Sequence, residues 1–334
     1  MDQHIQYCTA ADGTRLAYSV IGNGTPIVRA SHWLTHLQYD LNSPVWRHIV
    51  LGLADRHKLV RYDGRGTGLS QRDVKDISFE HWVSDLERIV DELALERFIL
   101  VGISQGGPIS IAYEARHPER VSHLVIYGSY ARGFLHRDDF EKQQKFVELN
   151  RTLIREGWGS DQDAYRQWFT SQFIPGATIE QVRWFNDLER VSATADIMER
   201  YIVELSKIDV VDLLPKIKAP TLVLHCKDEM RVPFYLGQEI AAGIPHAKFV
   251  PLEGKNHIFL ANEPAHRVFF NALASFLGER PYRRTLPGSA KFKDRLENNV
   301  KAIEQNWIIK VIVILAAITG VIIFFEEVWR AFHH

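Results

Sequence analysis

The sequence predicts an α/β fold, a mostly parallel central sheet with helices on both faces and a helical segment inserted late in the chain. Three observations carry this expectation. Short β-branched or aromatic runs alternate with helical stretches up to about residue 128. The same alternation resumes at about residue 221. Between the two, strands vanish and an aromatic-rich helical pattern replaces them.

The strand runs are residues 27–30, 58–62, 98–101 and 123–127, then 221–225 and 247–251. Helical stretches at 79–95 and 108–117 lie between them, and Pro118 stops the second. The insert, about 130–207, carries Phe134, Phe146, Trp158, Phe169, Phe173, Trp184 and Tyr201 among its aromatics. It reads as a helical lid over the end of the sheet, with most of these rings packing its own core.

Composition narrows the function classes. Of 334 residues, 46% are apolar and 24% charged, which excludes general disorder. Forty basic residues against 41 acidic give a net charge of −1, so there is no basic footprint for nucleic acid. Two cysteines, Cys8 and Cys226, make neither a disulfide framework nor a metal site. The first twenty residues lack a basic region followed by an apolar run, so no secretory signal is expected.

The other end reads differently. From Trp307 the chain runs WIIKVIVILAAITGVIIFF to Phe325, uncharged from Val311 onward. Nineteen helical residues would span roughly 28 Å, close to the thickness of bilayer hydrocarbon. The expectation is a single C-terminal transmembrane helix over 307–327, followed by a short tail at 328–334. A linker and juxtamembrane helix at 280–306 precede it, with Phe292, Leu296, Val300, Ile303 and Trp307 on one face. That face could equally be a homodimer seam. Lys291, Lys293, Arg295, Lys301 and Lys310 lead the span while only Arg330 follows. This bias places the main domain in the cytoplasm, tail-anchored at the membrane.

The chemistry centres on FILVGISQGGP, residues 98–108. An apolar strand enters Gly102-Ile103-Ser104-Gln105-Gly106 and a helix follows. A G-x-S-x-G turn in this context lifts a serine hydroxyl above the sheet edge, next to a helix N-terminus. A serine nucleophile needs a base, and the base an orienting acid. Later segments supply both types: LVLHCKDEMRVP at 222–233 and FVPLEGKNHIFL at 249–260, the second carrying His257.

From about residue 5 to 279 the chain resembles the α/β-hydrolase fold family. The motifs that carry the resemblance occur in order: Tyr62-Asp63-Gly64-Arg65-Gly66-Thr67-Gly68-Leu69-Ser70, the serine turn, HPERV at 117–121, the acid loop and the histidine loop. More narrowly, Ala30-Ser31-His32-Trp33-Leu34-Thr35-His36 is similar to hydrolase domains that bacteria attach to cyclases or transcription regulators. The resemblance implies a serine hydrolase of carboxylesterase type, with Ser104 as nucleophile and His257 as base. The family's acid stands four residues before the loop proline. Counting back from Pro233 gives Glu229, with Asp228 beside it as the alternative. Where the family has His-Gly after the third strand, this chain has Ser31-His32. The oxyanion donors implied are then the N–H groups of Trp33 and Gln105. No metal or organic cofactor is implied. The aromatic lid suggests a small apolar, ester-like substrate. A non-catalytic or slow-turnover ligand-sensing domain at the membrane is the alternative.

Overall fold

A computed structural model describes residues 3–160 and 163–282, all within the unit Met1–Arg283. Eight strands form one sheet: β1 (His4–Thr9), β2 (Arg15–Ile21), β3 (Thr25–Arg29), β4 (His57–Tyr62), β5 (Phe98–Ile103), β6 (Val121–Tyr127), β7 (Thr221–Cys226) and β8 (Lys248–Leu252). Their spatial order is β1-β2-β4-β3-β5-β6-β7-β8. The six strands expected from the sequence are β3 to β8, and all pair in parallel. Each is a short run bounded by turn residues, and β5 and β7 are buried at every position. Burial on both faces is what produces a continuous apolar run.

Two strands at one edge escape the sequence pattern. The β1–β2 pair is antiparallel, and β2 also meets β4 antiparallel. The sequence of β1, HIQYCT, exposes most of its side chains and offers no apolar run to read.

Ten α-helices complete the described fold: α1 (Leu37–Asn42), α2 (Arg47–Leu53), α3 (Phe79–Glu92), α4 (Gly106–Arg116), α5 (Phe140–Gly157), α6 (Asp163–Phe173), α7 (Ile179–Ser192), α8 (Ala195–Lys207), α9 (Phe234–Gly243) and α10 (Pro264–Phe276). Ser78 caps α3 by accepting from His81 N–H. Trp82, Val83, Leu86, Ile89 and Val90 then form its buried stripe. The turn after β4 is locked by Asp63, whose Oδ2 accepts from Leu37 N–H at 3.1 Å and Leu69 N–H at 2.8 Å. Arg65 makes a buried two-pronged pair with Asp85 at 2.8 and 2.7 Å. Helices α5 to α8 stand between β6 and β7, where the sequence places the lid.

The fold class needs one correction. Among the described residues no helix is long and apolar enough to cross a membrane. The longest, α5, would span roughly 27 Å but carries Glu141, Lys142, Lys145, Glu148, Arg151 and Arg155. The described helices are short or amphipathic and bury one face on the domain, so the described residues form an α/β fold with an inserted helical segment and no membrane-crossing helix. The segment 307–327, with its linker, juxtamembrane helix and tail, lies outside the described residues.

Candidate active site

The site starts at the exit of β5. Ser104 follows the strand with φ +52°, a left-handed conformation that side chains other than glycine rarely adopt. Holding it there costs on the order of 1–3 kcal/mol, which the surrounding structure must supply. Two bonds do so: Ser104 N–H donates to Tyr127 O at 3.0 Å, and Ser129 Oγ donates to Ser104 O at 2.6 Å. Crowding explains the flanking glycines. A Cβ on Gly102 would lie 2.5 Å from Gly106 O and 2.7 Å from Gly107 Cα. One on Gly106 would lie 3.2 Å from Ala30 O and 3.3 Å from Ser31 O. The segment leaving β3 therefore packs directly on the start of α4.

That packing brings Trp33 beside the serine. Trp33, Ser104 and Gln105 line one cavity of about 20 Å³, room for roughly one water. Among the described residues, no protein acceptor takes the backbone N–H of Trp33 or of Gln105. His32, which replaces the family's glycine, does not line this cavity. Its ring stacks on Trp46 at 4.7 Å. Burial, reinforced by the charge of Arg29, pushes its pKa well below the usual histidine range, so it is neutral.

His257 sits in the loop after β8 and is fully buried. Its backbone is held twice: its N–H donates to Phe173 O at 2.8 Å, and its carbonyl accepts from Tyr127 Oη at 2.7 Å. Its Nδ1 bonds Glu229 Oε2. Its Nε2 is buried with no hydrogen-bond partner. Glu229, in the loop after β7, is equally enclosed. Burial alone would raise its pKa, but the adjacent His257 and His225 rings outweigh that and hold the carboxyl below its ordinary range. Asp228 is exposed, and its backbone N–H donates to Gly254 O at 3.1 Å.

Residues 128–129 join the serine and histidine halves. Ser129 grips Ser104 O, while a Cβ on Gly128 would lie 3.3 Å from His257 Cε1. Phe173 also spans both, lining the cavity and meeting the His257 ring edge-on at 5.5 Å.

Several neighbours were not flagged by motif. His225 Nε2 lies against Glu229 Oε1 and donates to Val232 O at 2.8 Å. A histidine in the otherwise apolar β7 is a signal the sequence does contain. Arg137 and Arg231 also line the cavity. Nothing in the pattern separates them from surface arginines. Among the described residues, no group of three or more histidine, cysteine or carboxylate side chains is arranged to hold a metal.

Comparison with known proteins agrees with this fold. A family model described as the alpha/beta hydrolase fold matches residues 34–264. A protein named as a carbamate hydrolase, RutD, from Azorhizobium caulinodans is 30% identical over 272 residues, covering 79% of this chain and 95% of its own length. A non-heme haloperoxidase of Rhodococcus erythropolis is 27% identical over 266 residues, covering 75% and 92%. Among solved structures, an esterase from Exiguobacterium antarcticum superposes with a TM-score of 0.68 at 24% identity, over 82% of this chain and 99% of its own; at that identity the likeness is one of fold. The narrower likeness of residues 30–36 to cyclase-linked domains remains one of motif alone. With the family model spanning more than half of the sequence, the chain belongs to the α/β hydrolase fold family.

Proposed function

We propose that this hydrolase of the α/β fold cleaves a carboxylic ester or related acyl bond through a covalent acyl-enzyme. The observation that carries the reading is the buried Glu229–His257 pair, whose His257 Nε2 is unpartnered and whose ring is linked through residues 128–129 to the turn that carries Ser104. In the proposed cycle, Ser104 Oγ attacks the carbonyl carbon and His257 Nε2 takes its proton. Glu229 fixes the tautomer by accepting from Nδ1–H and stabilises the imidazolium that forms. The N–H groups of Trp33 and Gln105 receive the developing oxyanion, each worth about 3–4 kcal/mol in comparable sites. His257 then protonates the departing alcohol. A water attacks the acyl-enzyme, giving its proton to His257, and the acid leaves as Ser104 recovers its hydrogen.

A fluorophosphonate probe tests the reading directly. The wild-type protein is expected to be labelled once, and Ser104→Ala and His257→Ala not at all. Well-folded wild-type protein that resists labelling and hydrolyses no p-nitrophenyl ester would refute it.

A further inference from the structure

The cavity at Ser104 has aromatic walls, yet two guanidinium groups border it. Arg231 is enclosed by three rings, with its Cζ 5.4 Å from the centroid of Trp33, 5.2 Å from Phe173 and 5.5 Å from Phe134. Its one hydrogen bond to a side chain goes to the neutral Gln172, at 3.2 Å. Arg137 lies 4.3 Å over the Phe134 ring and donates to the Arg132 carbonyl at 3.1 Å. Among the described residues neither arginine has a carboxylate partner.

Buried cations are ordinarily paired, because taking a charge from water is costly. The acids nearest these two are already engaged. Glu229 holds His257 and His225, and Glu239 pairs with Arg132 at 2.8 Å. Burial lowers the Arg231 pKa to about 10, and Arg137 nearby adds to the effect, but both side chains stay charged at neutral pH. Cation–π contacts offset part of the cost without neutralising either charge. Arg231, buried, and Arg137, partly buried, thus border the serine's cavity without a carboxylate of their own.

We infer that the substrate carries a carboxylate a few bonds from its scissile carbonyl, received by Arg231 and Arg137. This rests on the acyl-cleavage reading above and narrows it, from an apolar ester to an ester with an apolar body and one anionic end. Arginine suits the task because its planar fork matches a carboxylate's two oxygens.

The test compares esters matched in size and differing in charge. Monoethyl adipate against ethyl hexanoate places the carboxylate on the acyl side. Acetylated glycolic acid against propyl acetate places it on the alcohol side. Turnover is followed by pH-stat on the wild-type enzyme, and binding by calorimetry on Ser104→Ala, which needs no chemistry. At least a tenfold preference in kcat/KM for the anion of one pair is expected, with the same order of affinities in Ser104→Ala. Arg231→Gln and Arg137→Gln are each expected to cut that preference at least tenfold, and Arg231→Lys to fall between Arg231→Gln and the wild type. Equal or better handling of both neutral esters by the wild-type enzyme would overturn the inference, as would an unchanged preference in the two glutamine variants. Fluorophosphonate labelling separates the failures. A labelled serine without anion preference sinks this inference alone. An unlabelled serine in a protein that still binds the anion through Arg231 sinks the acyl-cleavage reading instead.

Discussion

His225 Nε2 rests against Glu229 Oε1, the carboxylate oxygen that His257 does not use. The carboxylate is thus clamped between two rings, and its position is set by β7 as much as by its own loop. Gly237 keeps the second ring in place, since a Cβ there would fall 2.3 Å from His225 Nδ1. His225→Ala is expected to lower kcat by roughly tenfold to a hundredfold, the scale of a modest loss of alignment in a catalytic group. KM should move far less, and a stopped assay with p-nitrophenyl acetate at saturation reads the difference.

The neighbouring carboxylates are expected to behave oppositely. Glu229→Gln removes the anion facing His257 Nδ1 and should reduce kcat by about 10³–10⁴-fold. Asp228→Asn changes an exposed side chain and should leave kcat within about twofold. Reversal of that order would transfer the acid's role to Asp228.

Crowding at the turn around Ser104 predicts a stability effect. Gly102→Ala would drive a methyl group into backbone atoms at 2.5 and 2.7 Å, which cannot rotate away. A loss of about 1–3 kcal/mol is expected from urea unfolding. Ser104→Ala, which adds no bulk, should show none of it.

Substrate size follows from the cavity. Phe134, Phe173 and Leu205 line the cavity beside Ser104, so a long acyl chain must displace one of them. Acetyl and butyryl esters should exceed octanoyl esters in kcat/KM by tenfold or more. Leu205→Ala should narrow that gap, since each accommodated methylene is worth about 1–3 kcal/mol.

Acid sensitivity is written into a second histidine cluster. Burial pushes His48 down to about 3 and His266 to about 4. Unfolded histidines titrate near 6.5, so between that pH and about 4 the unfolded chain binds more protons than the folded one. Stability must therefore fall as the solution is acidified through this window, by at most about 2 kcal/mol per histidine from pH 7 to 5. Urea midpoints measured across the range should decline, and His48→Gln should flatten the slope.

What the sequence disclosed depended on how a residue's fate relates to its neighbours in the chain. The parallel strands were readable because burial on both faces demands an unbroken apolar run, as in β5. The edge strand β1 was not, because its exposed faces leave His4, Gln6 and Tyr7 free of that demand. The turn around Ser104 announced itself through local crowding, which only glycine relieves. The choice between Asp228 and Glu229 was open because two carboxylates in succession look alike until the loop turns one inward and the other out. Arg231 carried no mark at all: an arginine in a loop ordinarily faces solvent, and only the fold closes three rings around this one. Hydropathy alone supported the span at 307–327, and the described helices offer no counterpart to it.

The amides of His257 and Ile258 both donate to the carbonyl of Phe173, and Asn256 Oδ1 takes the N–H of Gly176. The insert between β6 and β7 is therefore stitched to the backbone that carries the base. A cover fastened in this way is no swinging door. Removing it to widen access would cut the mooring of the imidazole, so engineering for bulkier compounds should replace its inward side chains and spare its main chain.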